Sequence, residues 1–155
     1  MAGIVVRPAE PRDIPFIAQS QLDMALETEG RSLNAETVRL GVTAVLEDSS
    51  KGQYLISELE GVVIGSLLIT YEWSDWRNGR FYWIQSAFVL QQYRKRGAFK
   101  ALYAYVEELG RTQGCGVRLY VHKENEAGKR TYERLGMKLT EYLVYERDFV
   151  YPEGH

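Results

Sequence analysis

The sequence contains few of the side chains from which disulfides and metal sites are built. Of its 155 residues, one is a cysteine, Cys115, and two are histidines. A single cysteine excludes an internal disulfide and fits a reducing compartment, so we expect a cytoplasmic protein. So few cysteine and histidine ligands also argue against a dedicated metal site, and no metal cofactor is predicted.

Long apolar runs and a large excess of one charge are also lacking. No apolar run approaches the roughly 18 residues that span a membrane, and the N-terminus has no basic-then-apolar signal pattern. The formal net charge is −2, which argues against a general affinity for nucleic acid. We therefore expect neither a membrane nor a nucleic-acid partner.

What the sequence does contain is the composition of a packed globule. Hydrophobic residues make up 45% of the chain and aromatic residues 12%, which suits one hydrophobic core at this length. We expect a single domain over residues 1–155, with its core over about 3–147 and a short C-terminal tail.

The spacing of the apolar residues predicts a series of strands and helices. In order, these are a strand over 3–7, helices over 11–27 and 35–47, strands over 53–60, 62–71 and 80–90, a helix after Gly97, a strand over 117–121, a helix over 125–135 and a last strand over 137–147. The early strands should form an antiparallel meander, and the segment 80–121 a right-handed parallel crossover. The predicted fold class is α/β, a mixed sheet of order β-α-α-β-β-β-α-β-α-β with helices on both faces.

Three cations lie where a predicted strand gives way to a helix. Arg94, Lys95 and Arg96 precede Gly97, although cations are disfavoured at the positive N-terminus of a helix. A polyanion bound between them would account for their position, and the glycine would let backbone amides approach it closely. The Walker and dinucleotide glycine patterns are absent. The alternative is an ordinary solvated basic turn.

Two motifs in this region and near the C-terminus resemble those of the Gcn5-related N-acetyltransferases. The family's acetyl-CoA fingerprint, Q/R-x-x-G-x-G/A, matches at Arg94 and Gly97 and departs at Phe99. The Phe99 side chain can turn into the core, because it lies on the apolar face of the predicted helix.

The second motif is N-x-x-A-x-x-x-Y-x-x-x-G-F/M. It matches at Asn125, Tyr132 and Gly136-Met137, with Gly128 in place of alanine. Both motifs occur in the family's order, and the resemblance covers nearly all of the chain. It implies an acyl-CoA N-acyltransferase fold with acetyl-CoA as co-substrate.

The resemblance also implies which residues meet acetyl-CoA. The pyrophosphate would bind the amides of 94–99, Asn125 would contact the pantetheine arm, and the Tyr132 phenol would protonate the departing thiolate. A backbone N–H near Phe88 or Val89 would stabilise the oxyanion. The predicted cofactor-binding residues are Phe88, Val89, Arg94, Lys95, Arg96, Gly97, Ala98, Phe99, Lys100, Asn125 and Tyr132. Asn125 can equally be a helix cap, and Tyr132 a core aromatic.

The general base is not specified by either motif. The central strand carries Gln85, which can position a water molecule but cannot usefully take a proton. Glu27 and Glu29 lie in the connection between the first two helices, which borders the acceptor site in the resembled fold. Either could serve as base or amine anchor, or both could be surface carboxylates.

An aromatic and acidic cluster precedes the central strand. Trp73, Asp75 and Trp76 could bind a cationic amine through cation–π contacts and ion pairing. The alternative is a dimer contact or a packed loop, because tryptophan and tyrosine are enriched at interfaces. A homodimer is therefore left open.

We expect transfer of an acetyl group from acetyl-CoA to a primary amine by direct attack in a ternary complex, without an acyl-enzyme. A small-molecule amine is the favoured acceptor. The alternatives are a protein amine and a non-catalytic acyl-CoA-binding module of the same fold. An RNA-binding domain is disfavoured, because no aromatic stacking platform is interleaved with the basic patch.

Overall fold

The computed structural model describes residues 3–153, which form a mixed α/β fold. The strands are β1 (Ile4–Pro8), β2 (Gln53–Leu59), β3 (Val62–Ser74), β4 (Gly79–Val89) and β5 (Gly116–Leu119). The helices are α1 (Ile14–Glu29), α2 (Ala35–Glu47), α3 (Ala98–Gln113) and α4 (Glu126–Arg134). The chain divides into two compact units, Met1–Leu119 and Tyr120–His155, which are described separately.

The sheet of the first unit has the order β1-β2-β3-β4-β5. The first three pairings are antiparallel and the β4–β5 pairing is parallel. The predicted antiparallel meander and the parallel pairing of the strands that the crossover joins are therefore confirmed. The β2–β3 hairpin turns at Glu60 and Gly61, whose φ angles of 52° and 79° suit the tight turn between two twisted strands.

The helices α1 and α2 pack on one face of this sheet. Ile17 of α1 and Val42 of α2 form a buried cluster with Tyr54 and Ile56 of β2. Because side chains alternate along a strand, Leu55 points to the opposite face, and it is also fully buried. Both faces of the sheet are therefore covered at β2, as the predicted fold class requires.

In the second unit, α4 forms as predicted, but the predicted strand over 137–147 is wrong. The structure assigns neither helix nor strand to residues 137–153. Their apolar residues are largely exposed, 86% for Leu143 and 98% for Tyr145. A strand needs a neighbour to take its backbone hydrogen bonds, and the described part of this unit, residues 120–153, contains no other strand. Over residues 3–153, no helix is long and apolar enough to cross a bilayer.

Candidate active site

The end of β4 presents an open backbone edge. β4 pairs with β5 only from Phe81 to Ile84, whereas its pairing with β3 continues to Val89. The Leu90 N–H donates to Ile64 O at 2.9 Å, toward β3. Because backbone groups alternate in direction along a strand, the N–H and C=O of Val89 point to the side that β5 has left.

The basic turn that follows leads into an uncapped helix. Lys95 and Gly97 have positive φ angles of 65° and 89°, and Gly97 is the N-cap of α3 without a side-chain hydrogen bond to the first turn. By contrast, the N-cap of α2, Asn34, accepts a hydrogen bond from the Thr37 N–H at 2.9 Å. The first-turn amides of α3 have no such cap, which is the arrangement that binds anions.

The three cations of the turn differ in their surroundings. Arg94 donates from Nε to Val89 O at 2.9 Å and from both terminal nitrogens to Glu27, at 2.5 and 3.0 Å. Its guanidinium also lies over the Phe88 ring, 5.5 Å from the centroid. Lys95 and Arg96 are exposed. The cations accessible to a bound anion are therefore mainly the second and third of the run.

Two predicted cofactor residues in the first turn of α3 point in different directions. Ala98 is buried at 3% exposure. The Phe99 ring is half-buried and lies against Tyr103, with 6.4 Å between ring centroids. The bulky side chain thus lies along the helix, and Lys100 is exposed beside it.

The two carboxylates expected at the acceptor side lie in the last turn of α1. Glu27 accepts from Arg94 with both oxygens, and these hydrogen bonds lower the pKa of its carboxyl group. A carboxylate held in this way is a weak general base. Glu29 is the last residue of the helix and is exposed.

Gln85 lies on β4 and donates from Nε2 to Thr70 Oγ1 of β3 at 2.8 Å. A carboxylate that sequence reasoning missed lies on β3, two residues after Thr70. Glu72 of β3 accepts from Trp83 Nε1 at 3.1 Å and from Arg118 at 2.5 Å. In the sequence, the spacing of two residues from Thr70 indicates that both side chains lie on one face of β3. Only the pairing of the folded strands reveals the neighbours of Glu72 on β4 and β5.

The aromatic cluster forms the tip of the β3–β4 hairpin. Trp73 and Trp76 are 65% and 87% exposed, and Asp75 lies between them in the sequence. This tip precedes the first residue of β4, whereas Glu27 and Arg94 lie beyond its last residue. At ~3.3 Å per residue, the length of β4 places roughly 30 Å between the hairpin tip and the pair formed by Glu27 and Arg94. The structure therefore does not bring this cluster together with Glu27.

In the second unit, Asn125 is the N-cap of α4. Its Oδ1 accepts from the Gly128 N–H at 2.9 Å. A Cβ on residue 128 would lie 2.6 Å from Asn125 Nδ2, so an alanine at this position would require the Asn125 side chain to shift. Tyr132 is half-buried on the same helix, and burial raises the pKa of its phenol. Its hydroxyl is thus protonated at neutral pH. Among residues 3–153, no three His, Cys, Asp or Glu side chains gather as a metal site would require.

Comparison with known proteins places the chain in a family. A model described as the acetyltransferase (GNAT) family matches residues 19–137, and the chain therefore belongs to that family. A possible acetyltransferase from Clostridium difficile 630 is 41% identical, with 94% of this chain and 97% of that chain covered and a TM-score of 0.88. The predicted family and fold class are confirmed.

More distant structures share the fold. An aminoglycoside N-acetyltransferase in complex with CoA is 19% identical, with 96% and 97% of the two chains covered and a TM-score of 0.76. A ribosomal-protein-alanine N-acetyltransferase from Brucella melitensis biovar Abortus 2308 is 16% identical, with 95% and 100% covered and a TM-score of 0.74. A comparison with curated proteins gives no match.

Proposed function

We propose that the protein transfers the acetyl group of acetyl-CoA to a small-molecule primary amine. The observation that carries this proposal is the uncapped N-terminus of α3 beside the open edge of β4. The helix N-terminus is suited to bind a pyrophosphate. The open edge of β4 is suited to stabilise a carbonyl oxygen that gains negative charge. Membership of the acetyltransferase family supports it further.

The donor would bind through the basic turn. The pyrophosphate would be held by the amides of residues 97–100 at the uncapped start of α3. The side chains of Lys95 and Arg96, which are both exposed, would also bind it. Asn125 would use its Nδ2, the end of the amide that does not cap the helix, to donate to the pantetheine arm. Acetyl-CoA would supply the activated acyl group.

Two groups would act on the reacting atoms. The Val89 N–H would stabilise the negative charge that develops on the thioester carbonyl oxygen when the amine attacks. As the carbon–sulfur bond breaks, the Tyr132 hydroxyl would give its proton to the sulfur and regain one from the new ammonium group through solvent. The position of Tyr132 within the region that the family model matches supports the role.

The amine must be neutral when it attacks. Glu27 is excluded as its base in this proposal because Arg94 occupies both of its oxygens. Glu29, exposed at the end of α1, or a water held by Gln85 would take the proton. The hairpin tip is left out of the acceptor site because it lies at the far end of β4.

Thiol release from acetyl-CoA, followed across a panel of small amines, tests this function. We expect acceleration by some amines, and we expect Tyr132→Phe to lower kcat by about 10²-fold or more, as removal of a general acid does. The loss should be smallest at low pH, where solvent protonates the thiolate. If Tyr132→Phe kept the wild-type kcat at every pH, the phenol would not be the general acid.

The same panel distinguishes the alternatives. Binding of CoA without thiol release with any amine would indicate a non-catalytic acyl-CoA-binding module. Thiol release with peptides bearing a free N-terminus, but with no small amine, would indicate a protein acceptor.

A further inference from the structure

Glu27 and Arg94 form a paired contact that joins helix α1 to the basic turn and to the end of the central strand. They are separated by 67 positions in the sequence. All three guanidinium nitrogens of Arg94 donate, one to the Val89 carbonyl and two to the Glu27 carboxylate. The contact therefore ties the last turn of α1 to both the end of β4 and the start of the basic turn.

The charge of Glu27 is poorly placed with respect to the dipole of its own helix. Glu27 lies in the last turn of α1, where the dipole is negative. The pairing with Arg94 offsets this unfavourable position, and its two-pronged geometry fixes the direction of the arginine.

Arg94 also forms a hydrogen bond with Val89, the residue whose N–H would stabilise the oxyanion in the proposed function. Its Nε holds the carbonyl of Val89, whose N–H lies on the same open side of β4. Holding that carbonyl limits rotation of the backbone at Val89. A second polar contact, from Gln21 Nε2 of α1 to Ser86 Oγ of β4 at 3.2 Å, lies along the same helix–strand junction.

We propose that Glu27 is a positioning residue that acts through Arg94 to hold the Val89 backbone and the basic turn in the conformation that binds the CoA pyrophosphate. The inference rests on the proposed acetyl-CoA function. It assigns Glu27 a role distinct from that of a base or an amine anchor, because its carboxylate is directed to the protein.

The proposal predicts the sign of one measurement. Removing an anion near a phosphate site should strengthen CoA binding if only the loss of Coulomb repulsion mattered. If Glu27 instead holds the turn in place, Glu27→Gln should weaken binding of CoA, measured by calorimetry, by about three- to tenfold, the range expected for a partly exposed ion pair with bidentate geometry. Arg94→Lys keeps the charge but loses the fork, and should weaken it at least as much.

Matched controls separate positioning from charge and from stability. Glu36→Gln removes the same charge from an exposed pair with Arg39 on α2, and should leave the CoA affinity unchanged. The double variant Glu27→Gln with Arg94→Lys should bind CoA no more weakly than Arg94→Lys alone, because both changes remove one interaction. Thermal unfolding should show that all variants are folded at the temperature of the titration.

The outcomes are distinct. Glu27→Gln that binds CoA as tightly as the wild type or more tightly would overturn the inference and leave the proposed function standing, as would strictly additive losses in the double variant. A wild-type protein that does not bind CoA would overturn the proposed function, and the inference with it.

Discussion

Gly97 has left-handed backbone at the point where the basic turn enters α3. Its φ angle is +89°, which a side chain disfavours, although a Cβ would meet no atom within 4 Å. Gly97→Ala should therefore cost about 1–2 kcal/mol of stability from backbone strain alone, and it should weaken CoA binding because the amides of α3 are displaced.

Chemical denaturation and CoA calorimetry measure the two effects of Gly97→Ala. Gly97→Asn is the matched variant, since asparagine tolerates left-handed backbone better than alanine, and it should recover part of both losses. An alanine variant with wild-type stability and wild-type CoA affinity would contradict the role assigned to this backbone conformation.

At the scale of elements, hydrophobic periodicity located every strand of the sheet and failed at one further segment. The strand β3 is longer than predicted, because its hairpin with β4 extends the pairing to Ser74 and Gly79. Residues 137–147 have the apolar content of a strand but form none. Periodicity reports which face a segment could bury, whereas strand formation also depends on a partner elsewhere in the chain.

The helices α2 and α3 each contain an interior glycine, and the two should respond oppositely to alanine. Gly41 in α2 is exposed and has open space around it. A Cβ on Gly110 in α3 would lie 2.9 Å from Val117 Cγ2 and 3.1 Å from Gly116 O. Gly41→Ala should stabilise the protein by about 0.5–1 kcal/mol through helix propensity, and Gly110→Ala should destabilise it by about 1–3 kcal/mol through overpacking.

Urea unfolding of the two variants checks this prediction, with the wild type as reference. Both substitutions add the same methyl group to the same type of element, so a difference in sign isolates the packing of α3 against β5. Stabilisation by Gly110→Ala would show that α3 can move away from the sheet at little cost.

At the scale of the whole molecule, the rules of chain connection predicted more than the local patterns did. A strand–helix–strand segment favours a parallel crossover, and β4, α3 and β5 form one. The short pairing with β5 leaves the end of β4 open, and the crossover begins at that end, where the basic turn leads from β4 into α3. The general position of the site thus follows from topology, whereas the identity of the acceptor depends on side chains that no general rule arranges.

The free energy of unfolding should fall in alkaline solution because of a tyrosine in the core between the sheet and its helices. Tyr54 of β2 is 6% exposed, and burial raises the pKa of its phenol from 10.0 to about 12. The folded state thus keeps the proton in a range where the unfolded chain has released it. The contribution of this phenol to the free energy of unfolding is fully present below pH 10 and is lost as the pH rises from 10 to 12.

Between pH 9 and pH 11 this loss should amount to about 1 kcal/mol for Tyr54 alone. Tyr54→Phe keeps the ring in the core and removes the titrating group, so its urea-unfolding free energy should decline less steeply over that interval than that of the wild type. Tyr142→Phe, at a tyrosine that is 78% exposed, is the matched control and should follow the wild-type curve. If Tyr54→Phe and the wild type declined in parallel, the alkaline loss would arise at other groups, and the phenol of Tyr54 would be reached by solvent without unfolding.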